Sequence, residues 1–341
     1  MSVYNGEKCL KEAVESILSQ TFRDFEFIII NDGSTDGTSS MLAHYQQKDT
    51  RIRLYNQGNR GLIASLNRGC ELACGKYIAR MDSDDVSLPE RLGKQLEFME
   101  SHPEIGVLGT GIKIINEKGR ALLNQNWRYP ASPRVMGWFL LFGACVAHPS
   151  VMMRRDIIRQ LGFYQPEALY VEDYDLWTRA NSVTQIANIP EILLRYRFWD
   201  GSICSQHRLT QRRNTANIMH RMIVQLLRSD VPVEMVSTLQ RMCADASLDT
   251  FQQIDQMDSL IRQLYRAYLG SNTLGPRETR EVTRDFAVKL LILAAVATRI
   301  SLRKGLPIFA KALATYPPML LSREIMSKGV TKGITIIRGR P

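Results

Sequence analysis

The chain lacks any apolar run long enough to cross a bilayer. Its most hydrophobic window, Phe286–Thr298, is thirteen residues long and carries Lys289, whereas a span needs about twenty. It is also poor in cysteine, with six thiols (Cys9, Cys70, Cys74, Cys145, Cys204 and Cys243) in 341 residues. These form no disulfide framework and no signal peptide stands ahead of them, so free thiols in a reducing, cytoplasmic compartment are expected. Cys70 and Cys74 share a helix face at i, i+4, but no second cysteine or histidine pair accompanies them. They read as interior residues and not as zinc ligands.

Acidic residues are scarce at one end only. Residues 1–199 balance 23 Lys/Arg against 23 Asp/Glu, whereas residues 286–341 hold ten basic residues and one acid, Glu324, within a net charge of +10. The basicity therefore belongs to the tail. That tail has few aromatics interleaved for base stacking and no recognition motif, so nucleic acid is not the expected partner. The apolar window followed by Arg299, Arg303, Lys304 and Lys311 instead fits a surface helix on an anionic membrane leaflet, the inner face of the cytoplasmic membrane, with a solvated basic face as the alternative.

What is present is an ordinary globular composition, 45% hydrophobic and 23% charged, and one unusual stretch, Met81-Asp82-Ser83-Asp84-Asp85. Three carboxylates within four positions, just past the short apolar run Tyr77–Ala79, repel one another and cannot be buried unpaired. A hard divalent cation with oxygen ligands, Mg²⁺ or Mn²⁺, would sit between them and also hold a phosphate. An acidic loop in water is the alternative.

Strand and helix signals alternate around this stretch. Val3-Tyr4 ends a strand and Asn5-Gly6 turns into a helix with Leu10, Ala13, Val14, Ile17 and Leu18 on one face. Phe25–Ile30 is too apolar for a half-exposed strand and suits a parallel sheet covered on both sides. Asn31-Asp32-Gly33-Ser34-Thr35-Asp36 follows it, with Asp36 reading as a helix cap. Helices over 38–47 and 62–73, a strand over Ile52–Tyr55 and a helix opened by Pro89-Glu90 complete an α/β pattern. In such sheets ligands bind beyond the carboxyl ends of the strands, where Asp32 and Asp82–Asp85 both fall. Two strands are expected around Gly109-Thr110-Gly111. The aromatic run from Trp127 to Phe142 is either the lining of an acceptor groove or core. Beyond about Gln206 helical periodicity takes over, with segments near 208–228, 231–245, 250–269 and 278–300.

The runs Ser2–Glu7, Asn31–Asp36 and Asp82-Ser83-Asp84-Asp85, followed by Leu88-Pro89-Glu90-Arg91-Leu92, resemble glycosyltransferase family 2 in order and spacing. The resemblance implies a GT-A fold, a Rossmann-like, mostly parallel mixed sheet flanked by helices, over residues 1–205. A mainly helical, basic extension would occupy 206–341. It implies inverting transfer of a sugar from a nucleotide-sugar donor, UDP-linked by expectation, to a glycan or lipid-linked glycan hydroxyl in bacterial surface-polysaccharide assembly. A non-catalytic nucleotide-sugar or glycan-binding module and a metal-dependent nucleotide-sugar hydrolase are the rival readings.

Carried onto this sequence, the family pattern has Tyr4 packing on the donor base and Asp32 hydrogen-bonding it, with Arg60 as a base or phosphate contact. Asp82 contacts the nucleoside and, with Asp84, forms the DxD-like pair at the metal. His148, in Ala147-His148-Pro149-Ser150, touches donor sugar or acceptor, or is structural. Glu172-Asp173 opens a helix whose positive end favours ionised carboxylates. Asp173 is the expected base for the acceptor hydroxyl and Glu172 its orienting partner. Arg197 is the expected phosphate partner, and Trp199 stands where many members have histidine. Family members also have more residues ahead of Ser2-Val3-Tyr4, so the first strand is expected to be a shortened one.

Overall fold

The structure is a computed structural model, and it describes residues 1–198 and 207–318. The first half alternates β1 (Ser2–Val3), α1 (Leu10–Leu18), β2 (Phe27–Asp32), α2 (Thr38–Lys48), β3 (Ile52–Gln57) and α3 (Leu62–Leu72). Next come β4 (Tyr77–Ala79), β5 (Val86–Ser87) and α4 (Arg91–Ser101). Every residue of β2 is buried, as a continuous apolar run between two helical layers requires. α1 buries Leu10, Ala13, Val14 and Ile17, the 3-4-7 spacing of a helix with one face on a sheet. Leu10, Val14 and Ile17 share a core with Val3, Phe27, Ile29 and Met81.

β1, β2 and β3 are parallel neighbours, with Ser2 opposite Ile30 and Asp32 opposite Gln57. Tyr4, Asp32 and Gln57 therefore end at one edge of the sheet. A single parallel bridge between Ser2 and Asp82 brings the acidic loop to that same edge. The second half adds β6 (Ile105–Ile115), β7 (Ala121–Trp127), α5 (Met136–Leu140), β8 (Met152–Arg154), α6 (Arg155–Gln160), α7 (Glu172–Ala180) and β9 (Gln185–Arg197). Here the order is β4-β8-β6-β9-β5, with β7 on β6, and β6 and β9 run parallel. A cavity of about 640 Å³ lies between β2 and β4, with Arg80 and Tyr164 among the residues that line it.

One expectation about this sheet is corrected. Gly109-Thr110-Gly111 does not separate two strands, because β6 runs unbroken through it with register shifts against β9. A Cβ on Gly109 would stand 2.2 Å from Asn188 Oδ1. The glycine is there for close approach of β9, not for a turn.

The chain divides into two compact units, one of Met1–Met136 with Ala144–Gln211, the other of Gly137–Gly143 with Arg212–Pro341. The second contains α8 (Arg208–Leu227, from Arg212 on), α9 (Val233–Asp245), α10 (Phe251–Ser271), α11 (Pro276–Ile300) and α12 (Leu302–Thr315). No described helix is long and apolar enough to cross a membrane.

The membrane-surface reading of Phe286–Thr298 is also corrected. Phe286, Leu290, Leu291, Leu293 and Val296 are buried in the helical unit, so that window is interior. Lys289 is tolerated there because Asp285, one turn earlier, pairs with it and Phe142 offers its ring face at 4.0 Å. Trp138, fully buried, donates to Asp285 Oδ2 at 2.6 Å. Trp138, Leu140 and Leu141 of the run 127–142 are thus core, whereas Trp127 is 55% exposed.

Candidate active site

The site begins with two loops braced against each other. Asn5 Oδ1 accepts from the Thr35 N–H at 2.8 Å, and the Gly6 N–H donates to Thr38 Oγ1 at 2.9 Å. Asp36 accepts from the Thr38 and Glu7 N–H groups, which fills its side chain as a cap. These bonds fix the chain around Tyr4, whose side chain is half exposed at the end of β1. Asp32 is buried and accepts from Gln57 Nε2 at 2.7 Å and from the N–H groups of Arg60 and Gly61, both at 2.9 Å. It organises the loop that presents the exposed Arg60 side chain.

Asp82, Asp84 and Asp85 each offer an oxygen within 4.8 Å of the others. Asp85 is buried; its Oδ1 accepts from the Arg197 N–H at 2.7 Å, while its Oδ2 is buried with no hydrogen-bond partner. Burial, then the charges of Asp82 and Asp84, push its carboxyl well above the usual range. A buried, unpartnered carboxylate oxygen beside two further carboxylates is the donor set a hard divalent cation takes, so these three residues fit Mg²⁺ or Mn²⁺. The run of three carboxylates reads as a cation site from the sequence, whereas the family resemblance names only Asp82 and Asp84.

The loop is held from behind by arginines. Arg197 is buried and donates from Nε to the Asp84 carbonyl at 2.7 Å. Its terminal nitrogens donate to the Asn116 and Glu117 carbonyls at 3.3 and 2.8 Å and to the Glu12 carboxylate. The expectation that Arg197 meets a donor phosphate is therefore corrected, because its guanidinium is engaged as a strut under Asp84. Trp199 lies outside the described residues. Arg91, of the Leu88–Leu92 run, is fully buried and donates to the carbonyls of Arg80 and Val151 at 2.6 and 3.2 Å. Burial, reinforced by Arg80, lowers it to about 9.

Arg80 is the residue that the sequence reading missed. Buried, it pairs with Asp82 at 2.5 Å and leaves its Nε–H without a partner. Its charge also acts on Glu172 and Asp173. The signal was available: residues two apart in extended chain point the same way, so Arg80 shares a side with Asp82.

Glu172 and Asp173 open α7. Glu172 is buried, and burial together with Asp173 pushes it up to about 7. Asp173 is only partly buried by surface; burial raises it too, opposed by the Tyr174 N–H on Oδ1 at 2.7 Å and by Arg80. Asp82 raises and Arg80 lowers both of them, so the acidic loop, Arg80 and the carboxylate pair act on one another electrostatically.

His148 belongs to the interior. Its Nε2 is 2.8 Å from Tyr164 Oη and its ring meets Trp177 edge-on at 5.9 Å. Burial, with a lesser push from Arg80, holds it neutral, well below the usual imidazole range. The expected contact of His148 with donor sugar or acceptor is corrected to a structural one, because the bond to Tyr164 occupies its ring in the core.

A carboxylate loop fit for a divalent cation, at the carboxyl edge of a parallel α/β sheet, suits a glycosyltransferase of the GT-A type. Residues 1–162 match the sequence model of glycosyl transferase family 2; Glu172 and Asp173 lie beyond that match. The O-antigen biosynthesis glycosyltransferase WbnJ of Escherichia coli is 38% identical over 207 residues, covering 59% of this chain and 79% of WbnJ. The chain belongs to glycosyl transferase family 2. Among solved structures, residues 1–349 of Staphylococcus aureus TarS in complex with UDP-GlcNAc align at 16% identity with a TM-score of 0.53, over 93% of this chain and 90% of that fragment. The mannosyltransferase PcManGT of Pyrobaculum calidifontis, in complex with GDP-Man and Mn²⁺, aligns at 14% identity and 0.51, over 98% and 83%. Both share the fold.

Proposed function

We propose that this protein transfers a hexosyl or N-acetylhexosaminyl group, with inversion, from a UDP-sugar to a hydroxyl of a glycan or lipid-linked glycan on the cytoplasmic side of the membrane, in surface-polysaccharide assembly. The observation that carries the reading is the buried, unpartnered Asp85 Oδ2 beside Asp82 and Asp84, in the field that also contains Glu172 and Asp173. The UDP-GlcNAc complex of TarS and the role in the name of WbnJ support the donor and setting.

In this reading Tyr4 stacks on the base, while Asp32 and the loop it holds at Arg60 border the nucleoside. Asp82, Asp84 and Asp85 hold Mg²⁺ or Mn²⁺, which when bound supplies positive charge to neutralise a departing diphosphate. Asp173, the more accessible acid, takes the proton of the acceptor oxygen as that oxygen attacks the anomeric carbon and the bond from that carbon to the diphosphate breaks. Glu172 retains a proton beside it and keeps the pair from carrying two charges.

Asp173→Asn tests the assignment. Transfer should fall by about 10²–10⁴-fold, the usual worth of a positioned base, while Mn²⁺-dependent thermal stabilisation by UDP stays unchanged. Undiminished transfer would contradict it. A binding module would show no transfer to lose, and a hydrolase would release free sugar at a rate indifferent to acceptor.

A further inference from the structure

The last described helix, α12, carries an outward face that the sequence reading had placed elsewhere. Its inner side buries Gly305, Ile308 and Ala312. A Cβ on Gly305 would stand 1.9 Å from Thr298 Oγ1, so the glycine lets α12 lie close against α11. On the outer side Leu302 is 63% and Leu306 58% exposed, one turn apart, and Ala310 continues the stripe at the next turn. Arg303 and Lys311 are exposed along its flank. Lys304, one helical repeat before Lys311, pairs with Asp255 at 2.8 Å.

Single exposed leucines are ordinary on a protein surface. Two in register, with Arg303 on the same arc, Lys311 further round the exposed side and no acid on the helix, are the pattern of a helix that lies in a lipid interface. The sequence beyond it, residues 319–341, adds five basic residues and one acid. We propose that this face of α12 docks on an anionic bilayer surface, with Leu302 and Leu306 entering the headgroup boundary and Arg303 and Lys311 meeting lipid phosphates. Charge selects lipid here: a protein partner would have to supply an acidic rim around an apolar stripe, whereas an anionic leaflet supplies both. The inference is independent of the transfer reading, since it uses no residue of that site.

The test is flotation of the full chain with vesicles of phosphatidylcholine containing phosphatidylglycerol, against phosphatidylcholine alone. Binding should require the anionic lipid and weaken with salt. Leu302→Glu with Leu306→Glu, and separately Arg303→Glu with Lys311→Glu, should each lower the partition coefficient about tenfold or more, with unfolding temperatures unchanged because all four side chains are exposed. A chain ended after Pro318 should retain binding that still depends on the leucines. Equal binding to both vesicles, or flotation indifferent to the leucine substitutions, would overturn the proposal. So would concentration-dependent self-association that the leucine substitutions abolish in a protein that does not float.

Discussion

Replacing Arg197 with methionine separates a strut from a phosphate ligand. The guanidinium is buried and makes two short bonds, to the Asp84 carbonyl at 2.7 Å and the Glu117 carbonyl at 2.8 Å. Each is a charged-group hydrogen bond worth about 1.5–3 kcal/mol. The contact with Asn116 at 3.3 Å is weaker, and the partner Glu12 is 59% exposed, so it rehydrates at little cost. The Arg197 N–H still holds Asp85 in the variant. The expected loss is about 3–5 kcal/mol, which for a unit of this size lowers the unfolding temperature by about 6–20 °C. Ligand-free thermal unfolding is the assay, with Arg197→Lys as the companion: the lysine keeps the charge but cannot make the fork, and should recover only part of the loss. If the methionine variant melts within about 2 °C of the parent and loses only stabilisation by UDP, Arg197 is a phosphate ligand and the strut argument is wrong.

Two further outcomes follow from the same geometry. Asp85→Asn removes one of three mutually repelling carboxylates, so the cation-free protein should be at least as stable as the parent while the Mn²⁺-induced rise in melting temperature shrinks. An undiminished rise would remove Asp85 from the ligand set. Glu172, raised from 4.5 to about 7, keeps its proton in the folded chain at pH values where the unfolded chain has lost it. Its contribution is therefore present below about pH 4.5 and lost as pH rises through about 7. Glu172→Gln cannot ionise, so its stability relative to the parent should climb by about 1–3 kcal/mol between pH 5 and pH 8 in urea titrations; a flat difference would refute the burial argument.

The parts of this molecule that could be read from the sequence are those fixed by local pattern. The apolar run of β2 and the 3-4-7 stripe of α1 announce a buried strand and its covering helix. Asp82–Asp85 announces a cluster of carboxylates, which the structure brings within 4.8 Å of one another, whereas the choice between a cation and a solvated acidic loop is not a matter of local pattern. What could not be read depends on distant partners. Arg197 looks available until Asp84, Asn116 and Glu12 are seen to converge on it from positions 81 to 185 residues away. His148 reads as a sugar or acceptor contact or as a structural residue until Tyr164 closes on it. Phe286–Thr298 looks like a membrane face until the helices beside it cover it, and α12 is hidden by Gly305 and Pro307, which read as breakers but serve close packing and an exposed turn.

The account rests on acids from separate parts of the chain meeting across one cleft. The direct measurement is the anomalous scattering of Mn²⁺ in crystals grown with UDP. The account predicts one strong peak among the carboxylates of Asp82, Asp84 and Asp85, the diphosphate on its open side and the Asp173 carboxylate facing the same cavity. A peak elsewhere, or Asp173 turned to a different surface, would contradict it.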